Sequence, residues 1–109
     1  QGGGGNSMGR GKLQDARVDE LFQAVLALEN LDECYSFFED LCTTSEIKAM
    51  AQRLAVARLL RQGVTYNDIA AATGASTATI SRVKRFLHYG ADGYNLILDR
   101  LEAKAGKKD

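Results

Sequence analysis

Residues 65–87, TYNDIAAATGASTATISRVKRFL, constrain this chain more than any other segment. Their spacings specify two short helices joined by a tight turn. Thr65, with Asp68 three positions later, is a capping-box start for the first helix. Ile69 anchors that helix in a core, and the small Ala70 beside it lets a second helix approach. Gly74 supplies the backbone freedom that a sharp inter-helix turn needs. Ser76 caps the second helix, where Ile80, Val83 and Leu87 recur at i, i+3 and i+7 as one buried stripe. The opposite face carries Thr77, Thr79, Ser81, Arg82 and Arg85, and with Lys84 the helix holds three basic residues and no acid. A helix-turn-helix with a hydrogen-bonding, cationic face is suited to the major groove of DNA. A hairpin built only for protein contact shows the same glycine turn and apolar stripes, so the basic face is what favours nucleic acid.

The chain has 109 residues, no proline and no tryptophan, and is rich in alanine, leucine and charged residues. That mix indicates one all-α domain with a modest core. Its zero formal charge hides an asymmetry. Residues 13–42 hold eight acids and one base, a net −7, whereas residues 43–88 hold seven bases and two acids, a net +5. The helix-turn-helix lies in the basic half, as expected of a DNA-facing region on an acidic body. Two sets of ordinary solvated helix faces would also give this division. No apolar run reaches membrane-spanning length and no secretory signal is visible, so a cytoplasmic location is expected. Residues 1–7, QGGGGNS, read as an expression scar before Met8. Residues 1–12 together read as a disordered arm, and residues 105–109 as a frayed tail.

Cys34 and Cys42 lie in a helical segment, about 12 Å apart along its axis, too far for a disulfide within one chain. Reduced, buried thiols are expected. One histidine, His88, is too few for the usual metal clusters, and it reads as a capping or packing residue. No phosphate-cradling glycine loop and no nucleophile with a partner base is visible, so the chain does not read as an enzyme.

Periodicity divides the domain, residues 13–104, into six helices. The first covers residues 13–29, with Leu21, Val25 and Leu28 on one face and Phe22 beside them. Asn30 interrupts it, and Asp32 is the expected cap of a second helix carrying Tyr35, Phe38 and Leu41, with Phe37 adjacent. Thr43-Thr44-Ser45-Glu46 starts a third, ending near Arg61 and apolar on nearly all sides, which predicts a central, buried helix. Met50 reads as gap-filling core. The two motif helices follow Gln62-Gly63, and Gly90 is placed for a left-handed cap. A sixth helix over residues 92–104 aligns Tyr94, Leu98 and Leu101, with Ile97 adjacent. Tyr89 and Tyr94 read as core or interface rings. Three helices before the motif carry more large apolar groups than a hairpin needs to cover, Phe22, Phe37 and Phe38 among them. Either a thick core or a second subunit absorbs that surplus; for a helix-turn-helix protein a two-fold homodimer is expected, which sets two recognition helices about 34 Å apart.

Three blocks, LALENLDECYSFFEDLCTTSEI, AQRLAVARLLRQG and TYNDIAAATGASTATISRVKRFLHYG, resemble the tryptophan repressor family, in its Trp-repressor-related YerC/YecD-type branch of Gram-positive bacteria. The resemblance spans residues 21–101. It implies a six-helix, intertwined homodimer in which the fourth and fifth helices read DNA. In the tryptophan repressor two arginines hold the bound amino acid, and their places match Arg53 and Arg82 here. A guanidinium pair suits a carboxylate. Two departures argue against tryptophan. Val83 stands where the repressor has a glycine that makes room for the indole, and Phe86 replaces a serine that meets the ligand's amino group. Both are expected to fill the pocket. Similar proteins are associated with control of histidine biosynthesis, so the resemblance favours histidine as an amino-acid corepressor, with Thr43 or Thr44 near the rim. Arg53 and Arg82 paired only with acids or phosphates, with no effector, is the equal alternative.

Site expectations follow from position. Thr65, Tyr66 and Asn67, at the start of the first motif helix, suit phosphate oxygens. Ser76, Thr77, Ala78 and Thr79 form the first turn of the recognition helix, where methyls and hydroxyls reach base edges. Ser81, Lys84 and Arg85 complete the DNA face, with Lys84 and Arg85 gripping backbone. The expected function is a dimeric, sequence-specific DNA-binding transcriptional repressor under amino-acid control. The alternatives are an effector-independent architectural or replication-associated DNA binder, and a protein-interaction module on the same fold.

Overall fold

A computed structural model describes residues 15–106, which form six α-helices and no strand. They are α1 (Ala16–Ala27), α2 (Leu31–Leu41), α3 (Thr44–Arg61), α4 (Tyr66–Thr73), α5 (Thr77–Tyr89) and α6 (Gly93–Gly106). Contacts divide the chain after Thr43 into two compact units. Leu13 and the expected arm and tail, apart from Ala105 and Gly106, lie outside the described residues.

In the first unit, Asp15 caps α1, its Oδ1 accepting from the amides of Arg17 (2.7 Å) and Val18 (3.3 Å). The helix ends at Ala27, two residues before the expected Glu29, because Leu28 has turned to extended backbone. Asn30, rather than the expected Asp32, caps α2. Asn30 has extended backbone and its Oδ1 accepts from the Glu33 amide at 2.9 Å, while Glu33 Oε1 accepts in return from the Glu29 amide at 2.8 Å. Asp32 lies within the first helical turn, where its charge suits the positive end of the helix dipole. Phe37 and Phe38 meet edge to face, with centroids 5.5 Å apart. No residue of α1 or α2 is fully buried, and Leu26 is 76% exposed. Cys34 and Cys42 are free and half-buried, less enclosed than expected.

The second unit holds the core. Val56 and Ala57 of α3, Ile69 of α4, Ala75, Ile80, Val83 and Leu87 of α5's buried stripe and its approach, and Leu98 of α6 are buried together. Leu54, Leu59, Leu60, Val64, Tyr66, Ala70 and Tyr94 pack around them. The expectation that α3 is buried on all sides is not met. Only Val56 and Ala57 are fully buried, and Met50 is 41% exposed. α4, α5 and α6 cover part of the helix, and its remaining apolar surface faces outward. Gly63, at φ +81°, ends α3 in the left-handed conformation.

Gly90 caps α5 but is not left-handed; its φ and ψ are −88° and −154°. The left-handed residue after α5 is instead Asp92, at φ +71°. What makes glycine necessary at position 90 is space, since a Cβ there would stand 2.5 Å from the Phe86 carbonyl oxygen. His88 and Tyr89 are exposed, so neither belongs to this chain's core. On α6, Leu98 is buried and Tyr94 half-buried, but Leu101 and Ile97 face outward.

Candidate functional site

The expected DNA-facing surface is built from local hydrogen bonds around the α4–α5 turn. Thr65 Oγ1 accepts from the Asp68 amide at 3.2 Å and starts α4. Thr73 closes it: its hydroxyl donates to the Ile69 carbonyl at 2.8 Å and accepts from the Ala75 amide at 3.1 Å. Gly74 takes φ +75°, reversing the chain. Ala75 then drops into the core, and Ser76 Oγ accepts from the Thr79 amide at 3.1 Å to start α5. With Ile80, Val83 and Leu87 inward, Ser76, Thr77, Ala78, Ser81, Lys84 and Arg85 are all exposed on the outer side. Thr65 and Asn67 are exposed at the start of α4.

Two expected contact residues sit differently. Thr79 is half-buried, its Oγ1 accepting from the Ser76 hydroxyl at 3.1 Å, and it lines a cleft behind the reading face. Tyr66 is also half-buried, packed against the core, with Lys84 Nζ over its ring at 5.7 Å from the centroid. That contact ties the two motif helices together and steadies a flexible ammonium beside the face.

The cleft lies among α3, α5 and α6. Ala49, Gln52, Arg53, Thr79, Arg82, Val83, Phe86 and Tyr94 line a volume of about 490 Å³. Arg53 and Arg82 thus share one concavity, although they are far apart in sequence. Thr43 and Thr44 are not among its lining residues. Val83 does not close the space, because its side chain is drawn into the core, 1% exposed. Phe86 stands half-open on the wall with the Arg82 guanidinium over its ring, 5.5 Å from the centroid. The expectation that these two residues fill the pocket is therefore not met in full. The volume is within the range of small-ligand sites.

Little in the sequence singles out Gln52, an uncharged polar residue beside Arg53 on an alanine- and leucine-rich helix. Its one signal is its place four residues before the buried Val56, which puts both on the same side of α3. Arg61 is the opposite case, a cation that counts towards a basic face yet is spent internally. Its NH2 donates to Asp99 at 2.7 Å and Glu102 at 3.4 Å. Its pKa is raised, chiefly by the hydrogen bond to Asp99, which outweighs the lowering by burial, with the charges of Glu102 and Asp99 adding to the rise.

The sequence of this chain matches the Trp repressor protein family over residues 16–102. The chain belongs to that family. It is 58% identical over 91 residues to the uncharacterized protein YerC of Bacillus subtilis, covering 84% of this chain and 88% of YerC. The crystal structure of a proposed Trp repressor from Staphylococcus aureus superposes with a TM-score of 0.83 at 57% identity, over 88% of this chain and 96% of that one. A TrpR-like protein from Eubacterium eligens gives 0.82 at 56% identity, over 84% and 95%. Membership of the Trp repressor family points to a DNA-binding regulator. No described helix is long and apolar enough to cross a membrane.

Proposed function

We propose that this Trp repressor family member is a sequence-specific transcriptional regulator that acts in the cytoplasm as a homodimeric repressor. The observation that carries the proposal is the outward display of Ser76, Thr77 and Ala78 at the α5 N-terminus, with Lys84 and Arg85 behind them and no acid on the helix. Short hydroxyl and methyl side chains there read base edges while the cations hold phosphates. Binding a pool of random duplexes and sequencing the retained fraction tests this directly. Enrichment of a two-fold symmetric site is expected, and retention without sequence preference would overturn it.

The cleft between Arg53 and Arg82 is the proposed effector site, for a small amino-acid-like carboxylate with histidine favoured over tryptophan. Two guanidinium groups lining one cleft support the carboxylate, while the preference for histidine rests on the family resemblance. The Arg82–Phe86 stack favours a second possibility, constitutive DNA binding, because one guanidinium already has a partner. Calorimetric titration with histidine, and with tryptophan as control, separates them. Heat with histidine alone supports ligand control, and silence with both supports a constitutive binder.

A further inference from the structure

Two side-chain amides hold the recognition helix at its two ends. Ahead of its N-terminus, Gln52 of α3 donates from Nε2 to the Thr73 carbonyl at 3.1 Å. The same nitrogen lies 4.0 Å from where a Cβ on Gly74 would stand, so the amide sits against the turn itself. Near its C-terminus, Asn95 of α6 donates from Nδ2 to the Leu87 carbonyl at 3.0 Å and to Asp92 Oδ1 at 3.2 Å. Asn95 is itself fixed, since Arg61 NH1 donates to its backbone oxygen at 3.2 Å and to its Oδ1 at 3.3 Å. Thr73 ends α4 and Leu87 lies in the last turn of α5, so neither carbonyl has a partner from its own helical ladder. The amides therefore satisfy free carbonyls and, in doing so, pin α4 and α5 to helices that take no part in the reading face.

We propose that Gln52 and Asn95 are positioning residues for base recognition, together setting the angle at which α5 meets the duplex. This rests on the DNA-reading function proposed above. Contacts to base edges tolerate an error of only about 0.5 Å and 10–20°, as any preorganised site does. Phosphate contacts through long, flexible cations tolerate more, and they carry non-specific binding. Loss of either mount therefore removes discrimination while leaving general affinity in place.

The test compares binding of the duplex selected by the wild-type protein with binding of a scrambled duplex of equal length. Gln52→Glu and Asn95→Asp keep shape and replace a donor with an acceptor, and Asn95→Asp retains the Arg61 contact. Gln52→Leu removes the donor without adding charge. The ratio of the two affinities is insensitive to the folded fraction and to a charge that lowers both equally. Each substitution is expected to lower that ratio about three- to tenfold, the worth of one hydrogen bond, and Gln52→Leu leaves the salt dependence on scrambled DNA unchanged. Equal ratios in wild type and all three variants would overturn the positioning role. A wild-type protein that selects no sequence would instead overturn the DNA-reading function beneath it.

Discussion

Arg61 and Arg85 are both arginines of the basic half, yet their surroundings set them opposite tasks. Arg85 is exposed on α5, whereas the Arg61 side chain is 22% exposed and engaged by Asn95, Asp99 and Glu102. Arg85→Ala is expected to weaken DNA binding and reduce the slope of log affinity against log salt by about one unit. Arg61→Ala should leave that slope unchanged and lower the melting temperature instead. Fluorescence anisotropy across a salt series, with thermal melts of the same samples, distinguishes the two. Because its pKa is raised above an already high value, Arg61 stays charged at working pH, and its contribution is lost only as pH rises through that raised value. The melting difference between wild type and Arg61→Ala should therefore not change with Arg61 ionisation between neutral pH and pH 9.

At the scale of elements, the α4–α5 pair depends on two glycines for different reasons. Gly74 needs a positive φ, while an added Cβ would meet only ordinary contact, with Gln52 Nε2 at 4.0 Å, so Gly74→Ala should cost about 1–2 kcal/mol of backbone strain. Gly90 has an ordinary negative φ, but an added Cβ would collide with the last turn of the recognition helix. Gly90→Ala should cost about 1–3 kcal/mol, as overpacking does, and shift the end of α5. Ser76→Ala removes the α5 cap and should cost about 1 kcal/mol. Urea unfolding curves give all three values. The cap at Ser76 and the turn at Gly74 were legible in the sequence because both are decided by neighbours three residues away. The choice of Asn30 over Asp32 was not, since either residue type can cap and only the path of the chain between α1 and α2 selects one.

The whole molecule has its core in the second unit, while α1 and α2 contribute no fully buried residue. Exposed Phe22, Leu26, Leu31, Tyr35 and Leu41 in the first unit, and Leu96, Ile97 and Leu101 on α6, are large apolar groups in one chain. They support the proposed homodimer, in which a second subunit covers these faces. Sedimentation equilibrium should then give a dimer whose melting temperature rises with protein concentration. Leu26→Asp, which places a charge on one such face, should shift the mass towards monomer without altering the reader's local hydrogen bonds.

By itself the sequence determined the six helices, the outward polar and cationic face of α5 and the buried stripe Ile80, Val83, Leu87, because each depends on spacings within a few residues. It also carried the family resemblance, through long continuous blocks. Only the tertiary structure decided that Gln52 reaches the turn, that Arg61 is held within its own unit, and that Val83 leaves the cleft between Arg53 and Arg82 open. Those facts join residues about 20 to 40 positions apart. Composition and periodicity report which face of a helix is apolar, but not which neighbour that face meets or where a long polar side chain finds its partner.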